Sequence, residues 1–211
     1  MLSASKPILY YWNIRGLGSY VCMAFFAAGK DFELKEYTAS TEDHWYGRDK
    51  PTLTMTLPNL PYLRDGSLEI SEHDSIFRHV LRKYKPELLG TTLDEQAEVD
   101  QFIGFWSKTN VNIRNWCYSD AAKDATDSIR KAKLDEFKYQ FERIDERLGK
   151  SKFTVGDKIT GADIFIYDTF LCMAVVHNET AHTYANIHRV VKDIENSDWY
   201  QAYKASNKWH T

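Results

Sequence analysis

Short blocks of apolar and polar positions follow one another in the first part of the chain. Residues 7–12 form an apolar, aromatic run bounded by Asn13, which predicts a buried strand. Residues 19–30 place apolar side chains at helical spacing, with Gly29 as a plausible stop, and therefore predict a helix. Residues 32–38 alternate as in a second strand. The sequence thus predicts strand, helix and strand in succession, the start of a βαβ unit.

A hairpin is the next predicted feature. Residues 58–64 and 68–71 have strand character and flank Asp65-Gly66, which is a strong signal for a tight turn between antiparallel strands. Residues 75–84 return to helical spacing. We therefore expect an α/β module that ends near residue 85.

The rest of the chain has a purely helical pattern. Helices are predicted at about 94–118, 127–148, 163–176 and 186–195, with a shorter one at 198–205. All five prolines precede residue 87, so the composition changes at the same place. We expect an α/β domain over 1–85, a linker over 86–93 and an all-helical domain over 94–211.

Charge and composition exclude several classes of function. The net charge of −3 indicates no basic surface for nucleic acid. The longest uncharged apolar run, residues 169–176, is far below the ~20 residues that cross a bilayer. No apolar secretory segment precedes Pro7, and three scattered cysteines fit a reducing compartment. We expect a cytoplasmic protein without a membrane partner or a metal site.

Three segments resemble cytosolic glutathione S-transferases, the mu class most closely, with some sigma-like features. They are PILYYWNIRGL at 7–17, LPNLPYLRDG at 57–66 and VGDKITGADIFIYD at 155–168. The resemblance implies a thioredoxin-like first domain, an all-helical second domain and a homodimer. It also implies glutathione as co-substrate, with no cofactor, and a small hydrophobic electrophile as the second substrate.

Within the first segment, the resemblance assigns Tyr11 as the catalytic residue. A thiol with an ordinary pKa of ~8.5 is mostly protonated at neutral pH, and a hydroxyl donating a hydrogen bond to sulfur favours the reactive thiolate. Tyr10 is expected to pack. Cys22, inside the predicted first helix, is expected to be buried and inert.

The family match also implies the residues that bind glutathione. Leu60 precedes Pro61 in a peptide bond for which we favour the cis isomer, and the Leu60 backbone amide is expected to pair with the cysteinyl part of glutathione. The stretch before Lys50 is shorter than in mu enzymes, which leaves Trp45 and Tyr46 as alternatives on the glycyl side. The remaining implied binding residues are Trp12, Leu17, Lys50 and Asn59.

Two positions depart from the family pattern at the γ-glutamyl end of glutathione. Glu72-His73 stands where the family usually has Gln or Glu followed by Ser, and His73 is expected either to donate to the γ-glutamyl carboxylate or to begin a helix without binding. Lys108 stands where a neighbouring subunit normally offers an aspartate. Val111 and Tyr118 match positions that line the electrophile pocket.

Further matches concern assembly and folding. Arg78 and Asp100 match positions that form ionic contacts across the mu dimer, whereas Leu57 replaces an aromatic key. Thr160 and Asp163 have the spacing of a capping box, which points to a role in folding.

Three functions compete at this stage. The first is a transferase that conjugates glutathione to small apolar electrophiles. The second is a glutathione-dependent isomerase or peroxidase of the prostaglandin-synthase kind, and the third is a non-catalytic ligand-binding or crystallin-like protein.

Overall fold

The structure, a computed structural model, describes residues 6–210, and its sheet has four strands in the order β2-β1-β3-β4. The strands are β1 Ile8–Trp12, β2 Glu33–Tyr37, β3 Tyr62–Asp65 and β4 Leu68–Ser71. β1 pairs with β2 in parallel and with β3 antiparallel, and β3 and β4 form the predicted hairpin. The predicted strand, helix and strand are confirmed, and the fold is thioredoxin-like.

Three helices belong to the same unit as this sheet, and the last of them packs against the first. They are α1 Ser19–Ala27, α2 His73–Tyr84 and α9 Asp198–Lys204. Contacts divide the molecule into two units: residues up to Lys85 with those from Asp198 onward, and Pro86–Ser197. The final helix therefore groups with the α/β unit, whereas the sequence placed it with the helical domain.

The second unit is helical throughout its regular structure. Its helices are α3 Leu93–Cys117, α4 Asp120–Lys123, α5 Asp127–Asp135, α6 Lys138–Leu148, α7 Gly161–Ala181 and α8 Ala185–Glu195. A short 3₁₀ turn, Pro86–Leu89, occupies part of the predicted linker. Among the helices of residues 6–210, none combines the length and apolar character that crossing a membrane requires. Residues 1–5, on which the expectation of no secretory segment partly rests, lie outside the described part.

The predicted single helix over 127–148 is wrong in one respect. The chain forms α5 and α6 instead, and the backbone leaves helical geometry at Phe137, with φ −108° and ψ 7°. Phe137 is buried at the break and packs against Phe141, whereas Ile129, near the start of α5, is 51% exposed. The apolar spacing therefore gives the buried face correctly from Leu134 onward but not the break.

The capping box at the start of α7 is confirmed. The Thr160 N–H and hydroxyl donate to Asp163 Oδ2 at 2.8 and 2.9 Å, and the Thr154 N–H and hydroxyl donate to Oδ1 at 2.8 and 2.6 Å. Burial raises the pKa of the Asp163 carboxyl, against the effect of these hydrogen bonds. The motif fixes the start of a core helix, which is the folding role that its sequence indicates.

A buried ion pair joins α3 to α7. The Arg114 guanidinium contacts Asp168, and both side chains are almost fully excluded from solvent. Asn110 completes the group, because its amide donates to Asp168 Oδ2 at 3.1 Å and its carbonyl oxygen accepts from Arg114 at 3.3 Å. Two buried charges thereby share hydrogen bonds on both sides, which is the condition under which such a pair is tolerated.

Arg114→Met is expected to lower the free energy of unfolding by about 3–5 kcal/mol, because it leaves the buried Asp168 carboxylate without its cationic partner. Urea denaturation followed by circular dichroism measures this. Arg143→Met is the matched control, since Arg143 pairs with Glu146 on the solvent-exposed side of α6; its cost should stay below about 1 kcal/mol. Equal destabilisation by the two variants would contradict the assignment.

Candidate functional site

Tyr11 lies near the end of β1, with its ring enclosed by the turn that follows. Gly16 has φ +35°, and a Cβ there would lie 2.4 Å from the Tyr11 hydroxyl oxygen. A Cβ on Gly18 would lie 2.6 Å from the Tyr11 ring. Both contacts are too short for any side chain larger than glycine's hydrogen. The RGLG sequence therefore allows the backbone to approach the tyrosine closely.

This close approach orients the Tyr11 hydroxyl. The Leu17 backbone N–H donates to the Tyr11 oxygen at 2.7 Å. Because a phenol can accept and donate at once, the hydroxyl proton can still be donated to a ligand. A donor on the oxygen polarises the O–H group and strengthens the hydrogen bond that it gives. The arrangement can stabilise an anion placed beyond the hydroxyl.

Tyr10 is engaged in packing, as the sequence predicts. Its ring stacks on Tyr62 with centroids 4.2 Å apart, and the Arg64 guanidinium lies 5.5 Å from its centroid. Arg64 also donates to the Tyr10 hydroxyl at 3.4 Å. Of the two neighbouring tyrosines, Tyr11 is the one held by the glycine turn.

A cleft of about 570 Å³ opens beside the end of β1. Its lining residues are Trp12, Asn13, Ile14, Tyr37, Thr38, Ala39, Glu42 and Tyr46. Only Trp12 and Tyr46 of these were predicted to bind glutathione. Asn13 and Ile14 belong to the segment 7–17 that carries the family resemblance, but no binding role was predicted for them. Tyr37 ends β2, and Thr38, Ala39 and Glu42 follow it, where no short motif marks them.

Trp45 and Tyr46 have different environments. A π-helical turn, His44–Asp49, holds Trp45 in the core at 2% exposure, where it stacks on Tyr62. Tyr46 is 53% exposed and faces the cleft. Lys50 lies against both rings, with its ammonium 5.9 Å from the Trp45 centroid and 5.7 Å from that of Tyr46. Tyr46, rather than Trp45, is therefore available to a ligand.

Tyr37 anchors the back of the cleft. Its hydroxyl donates to Asp49 Oδ2 at 2.9 Å. Burial, assisted by this carboxylate, raises the pKa of Tyr37 to about 12, so its hydroxyl stays protonated at neutral pH. The bond ties the end of β2 to the π-helical turn that carries Tyr46.

The Leu60-Pro61 peptide bond is cis, the isomer that the sequence analysis favours. Leu60 is buried at 8% exposure, whereas Asn59 before it is exposed. The Ser71 hydroxyl donates to the Leu57 carbonyl oxygen and links this loop to β4.

Glu72 has an unusual backbone conformation at the start of α2. Its φ of 67° makes it the one residue other than glycine with positive φ among residues 6–210. Such conformations in non-glycine residues cost free energy and concentrate at ligand sites. The side chain is exposed and makes no capping bond to α2. The helix therefore presents its first N–H groups and its positive dipole end beside an exposed carboxylate.

His73 is turned toward protein groups. Its Nε2 lies 3.3 Å from Asp74 Oδ1, and its ring packs edge-on against Tyr20 with centroids 5.5 Å apart. The Tyr20 hydroxyl donates to the same carboxylate oxygen at 3.4 Å. His73 thus contacts other side chains at the start of α2.

The remaining candidates belong to the second unit. Val111 is half-buried on α3, Tyr118 is 55% exposed at its end, and Lys108 is exposed. Cys22 in the first unit is buried, as expected, and burial raises the pKa of its thiol to about 12. Within residues 6–210, no group of three or more His, Cys, Asp or Glu side chains could hold a metal ion.

Comparison with known proteins gives matches over most of the chain. A family model described as the C-terminal domain of glutathione S-transferase matches residues 109–207. A glutathione S-transferase of Tyrophagus putrescentiae is 30% identical over 200 residues, covering 91% of this chain and 86% of the relative. Glutathione S-transferase Mu 6 of Mus musculus is 33% identical over 165 residues, covering 76% and 72% respectively.

A solved structure of a glutathione S-transferase-I bound with lactoylglutathione has the same fold. Its TM-score is 0.80 at 23% identity, and the match covers 95% of this chain and 99% of that one. The curated relatives carry the assignment, because their identity reaches 30% or more across most of their length. The chain belongs to the glutathione S-transferase family.

Proposed function

We propose that this chain is a glutathione transferase in which Tyr11 stabilises the thiolate of glutathione for attack on small apolar electrophiles. The hydrogen bond from the Leu17 N–H to the Tyr11 hydroxyl is the observation that carries the proposal. The relatives are named glutathione S-transferases, which favours this activity over the isomerase, peroxidase and non-catalytic alternatives.

The chemistry needs a lower thiol pKa. A free thiol with a pKa of ~8.5 is only a few per cent ionised at neutral pH, and lowering that pKa by two units takes ~2.7 kcal/mol. One hydrogen bond to a charged acceptor supplies an amount of that order. The thiol proton leaves to solvent, and the thiolate forms a carbon–sulfur bond with the electrophile. With an aryl halide the carbon–halogen bond breaks and halide leaves with the bonding electron pair, while Tyr11 keeps its own proton throughout.

Glutathione would extend from Tyr11 in two directions. Lys50, Tyr46, Trp12 and Asn59 would bind the glycyl carboxylate side, with Trp45 supporting Lys50 from the core. The Leu60 backbone would pair with the cysteinyl unit, and Leu17 would lie near the sulfur. At the other end, the start of α2 would receive the γ-glutamyl carboxylate and Glu72 the ammonium group. His73 would then serve chiefly to order the helix start.

The electrophile would meet apolar surface on one side of the sulfur. Trp12 and Ile14 supply such surface in the cleft, and Val111 and Tyr118 are proposed to contribute from the helical unit. Cys22, Cys117 and Cys172 are free thiols, which is compatible with action in the reducing cytoplasm.

Tyr11→Phe is expected to lower kcat at pH 7 by about ten- to one-hundredfold, because the bound thiol then returns toward its ordinary pKa. The Kd for glutathione should change little. The deficit should shrink as the pH rises past about 8.5, where an unassisted thiol ionises by itself. Steady-state rates with a generic aryl halide from pH 6 to 9 measure both effects.

Tyr10→Phe is the control for this experiment, since it keeps the ring stacked on Tyr62 and removes only a neighbouring hydroxyl, which accepts from Arg64. Its rate should stay close to that of the wild type. Loss of activity in Tyr10→Phe, or none in Tyr11→Phe, would refute the catalytic assignment.

Glu72→Gln is expected to raise the Kd for glutathione about tenfold, because it removes a charged acceptor from the ammonium group. Glu33→Gln, which neutralises an exposed carboxylate on β2 that does not line the cleft, should change it less than twofold. Isothermal titration calorimetry gives both constants. A larger effect from Glu33→Gln would place the γ-glutamyl end elsewhere.

We also propose a homodimer. Leu57 is 65% exposed at the tip of the loop before Pro61, as a residue that inserts into a partner subunit would be. Arg78 and Asp100 are proposed to contribute ionic contacts across the interface. Lys108 is proposed to lie where the partner's aspartate stands in mu enzymes, which would weaken glutathione binding.

Sedimentation velocity at micromolar concentration is expected to give a dimer for the wild type and a monomer-dimer mixture for Leu57→Asp, because a charge buried in an interface is costly. Leu93→Asp, at a leucine that is 82% exposed and that no match places in the interface, should stay dimeric. A wild-type protein that sediments only as a monomer would contradict the proposal.

A further inference from the structure

Residues 206–210 follow α9 and pack on the first unit through Trp209. The indole ring meets Tyr203 at a centroid distance of 5.2 Å and Tyr200 at 5.9 Å, both nearly edge-on. Tyr200 and Tyr203 are themselves buried. Trp209 is thus fixed against rigid aromatic side chains.

Trp209 also contacts the loop that follows the catalytic strand. The Arg15 guanidinium carbon lies 5.1 Å from the centre of the Trp209 ring, within the range of a cation–π interaction. Arg15 immediately precedes Gly16 and Leu17, the residues that enclose and hydrogen-bond the Tyr11 hydroxyl. One side chain therefore separates Trp209 from the turn that orients Tyr11.

A second set of contacts links the loop after β1 to the residues that follow α9. His210 Nε2 hydrogen-bonds Glu36 Oε1, and Glu36 Oε2 accepts from the Asn13 amide at 3.1 Å. Asn13 lies two residues after Tyr11. The loop is thus held at Asn13 and at Arg15 by contacts that lead to residues 210 and 209.

The space behind the Tyr11 ring is nearly filled. A cavity of only about 10 Å³ remains there, with Tyr203, Lys208 and His210 among the residues that line it. A gap of that size holds at most a single water molecule. The Tyr11 ring therefore packs closely with Tyr203, Lys208 and His210 around this small cavity. A displacement of those residues is transmitted to the ring.

We propose that Trp209 is a positioning residue for thiol activation, acting through Arg15 on the Gly16-Leu17 turn. This inference rests on the proposed function, in which Tyr11 donates a hydrogen bond to the glutathione sulfur. When Trp209 holds Arg15, the Leu17 N–H stays aligned on the Tyr11 oxygen. Without that restraint the turn moves, and the hydrogen bond weakens steeply as its angle and length depart from the optimum.

The decisive variant is Trp209→Leu, which fills apolar space against Tyr200 and Tyr203 but offers Arg15 no aromatic face. It is expected to lower kcat about tenfold, equivalent to one pKa unit of thiol activation, with the KM for glutathione changed less than about twofold. The thiolate fraction of bound glutathione, followed by its ultraviolet absorption at fixed pH, should fall in proportion. Trp209→Phe, which restores an aromatic face, should recover most of both.

Trp199→Leu is the matched control. Trp199 is a tryptophan of α9 that also packs edge-on against Tyr200, but it lines a separate groove beside Phe25 and Phe26. It should leave the thiolate fraction at the wild-type value. Arg15→Met should reproduce the Trp209→Leu effect, and the double variant should be no worse than either single change.

Each outcome bears on the inference. If Trp209→Leu keeps the wild-type thiolate fraction while Tyr11→Phe lowers it, the positioning role is wrong and the proposed function stands. If Trp199→Leu causes the same loss as Trp209→Leu, the effect is general packing and the inference is likewise overturned. If Tyr11→Phe is fully active, the proposed function fails, and the inference fails with it.

Discussion

The hydrogen bond from the Leu17 N–H to the Tyr11 hydroxyl is the contact on which the proposed chemistry depends. It exists because Gly16 and Gly18 let the backbone come within a distance of the ring that no larger residue permits. The strand fixes the tyrosine backbone, and the turn fixes its oxygen. A donor prepared before the ligand arrives costs no reorganisation when the thiolate forms.

The two ends of the proposed glutathione site use different interactions. Lys50 near Tyr46 offers a cation that a buried tryptophan supports from below. Glu72 stands at the other end in a strained backbone conformation that exposes the positive end of α2. His73 lies at the same helix start, with its Nε2 3.3 Å from Asp74 Oδ1. Glutathione has a carboxylate at each end and therefore matches the positive charge of Lys50 and of the α2 N-terminus.

The sequence predicted the strands and most of the helices, which depend on the local pattern of apolar residues. It did not predict features that depend on contacts between residues far apart in the chain. The apolar run of β1 and the motif around Tyr11 placed the catalytic candidate correctly on a strand. The helix predicted over 127–148 breaks at Phe137, although the apolar spacing on which that prediction rests continues through the break. Trp45 and Tyr46 are adjacent and both aromatic, so only the π-helical turn separates core from cleft. Trp209 contacts Arg15, which lies far from it in the sequence, and no short motif links the two residues.

A crystal structure of the protein with bound glutathione would test the central claim most directly. The account predicts the cysteinyl sulfur within hydrogen-bond distance of the Tyr11 hydroxyl, with the Leu17 N–H still donating to the same oxygen. It also predicts the glycyl carboxylate beside Lys50 and the γ-glutamyl group at the start of α2. A sulfur atom held by another donor, or a peptide lying in the reverse direction, would contradict it.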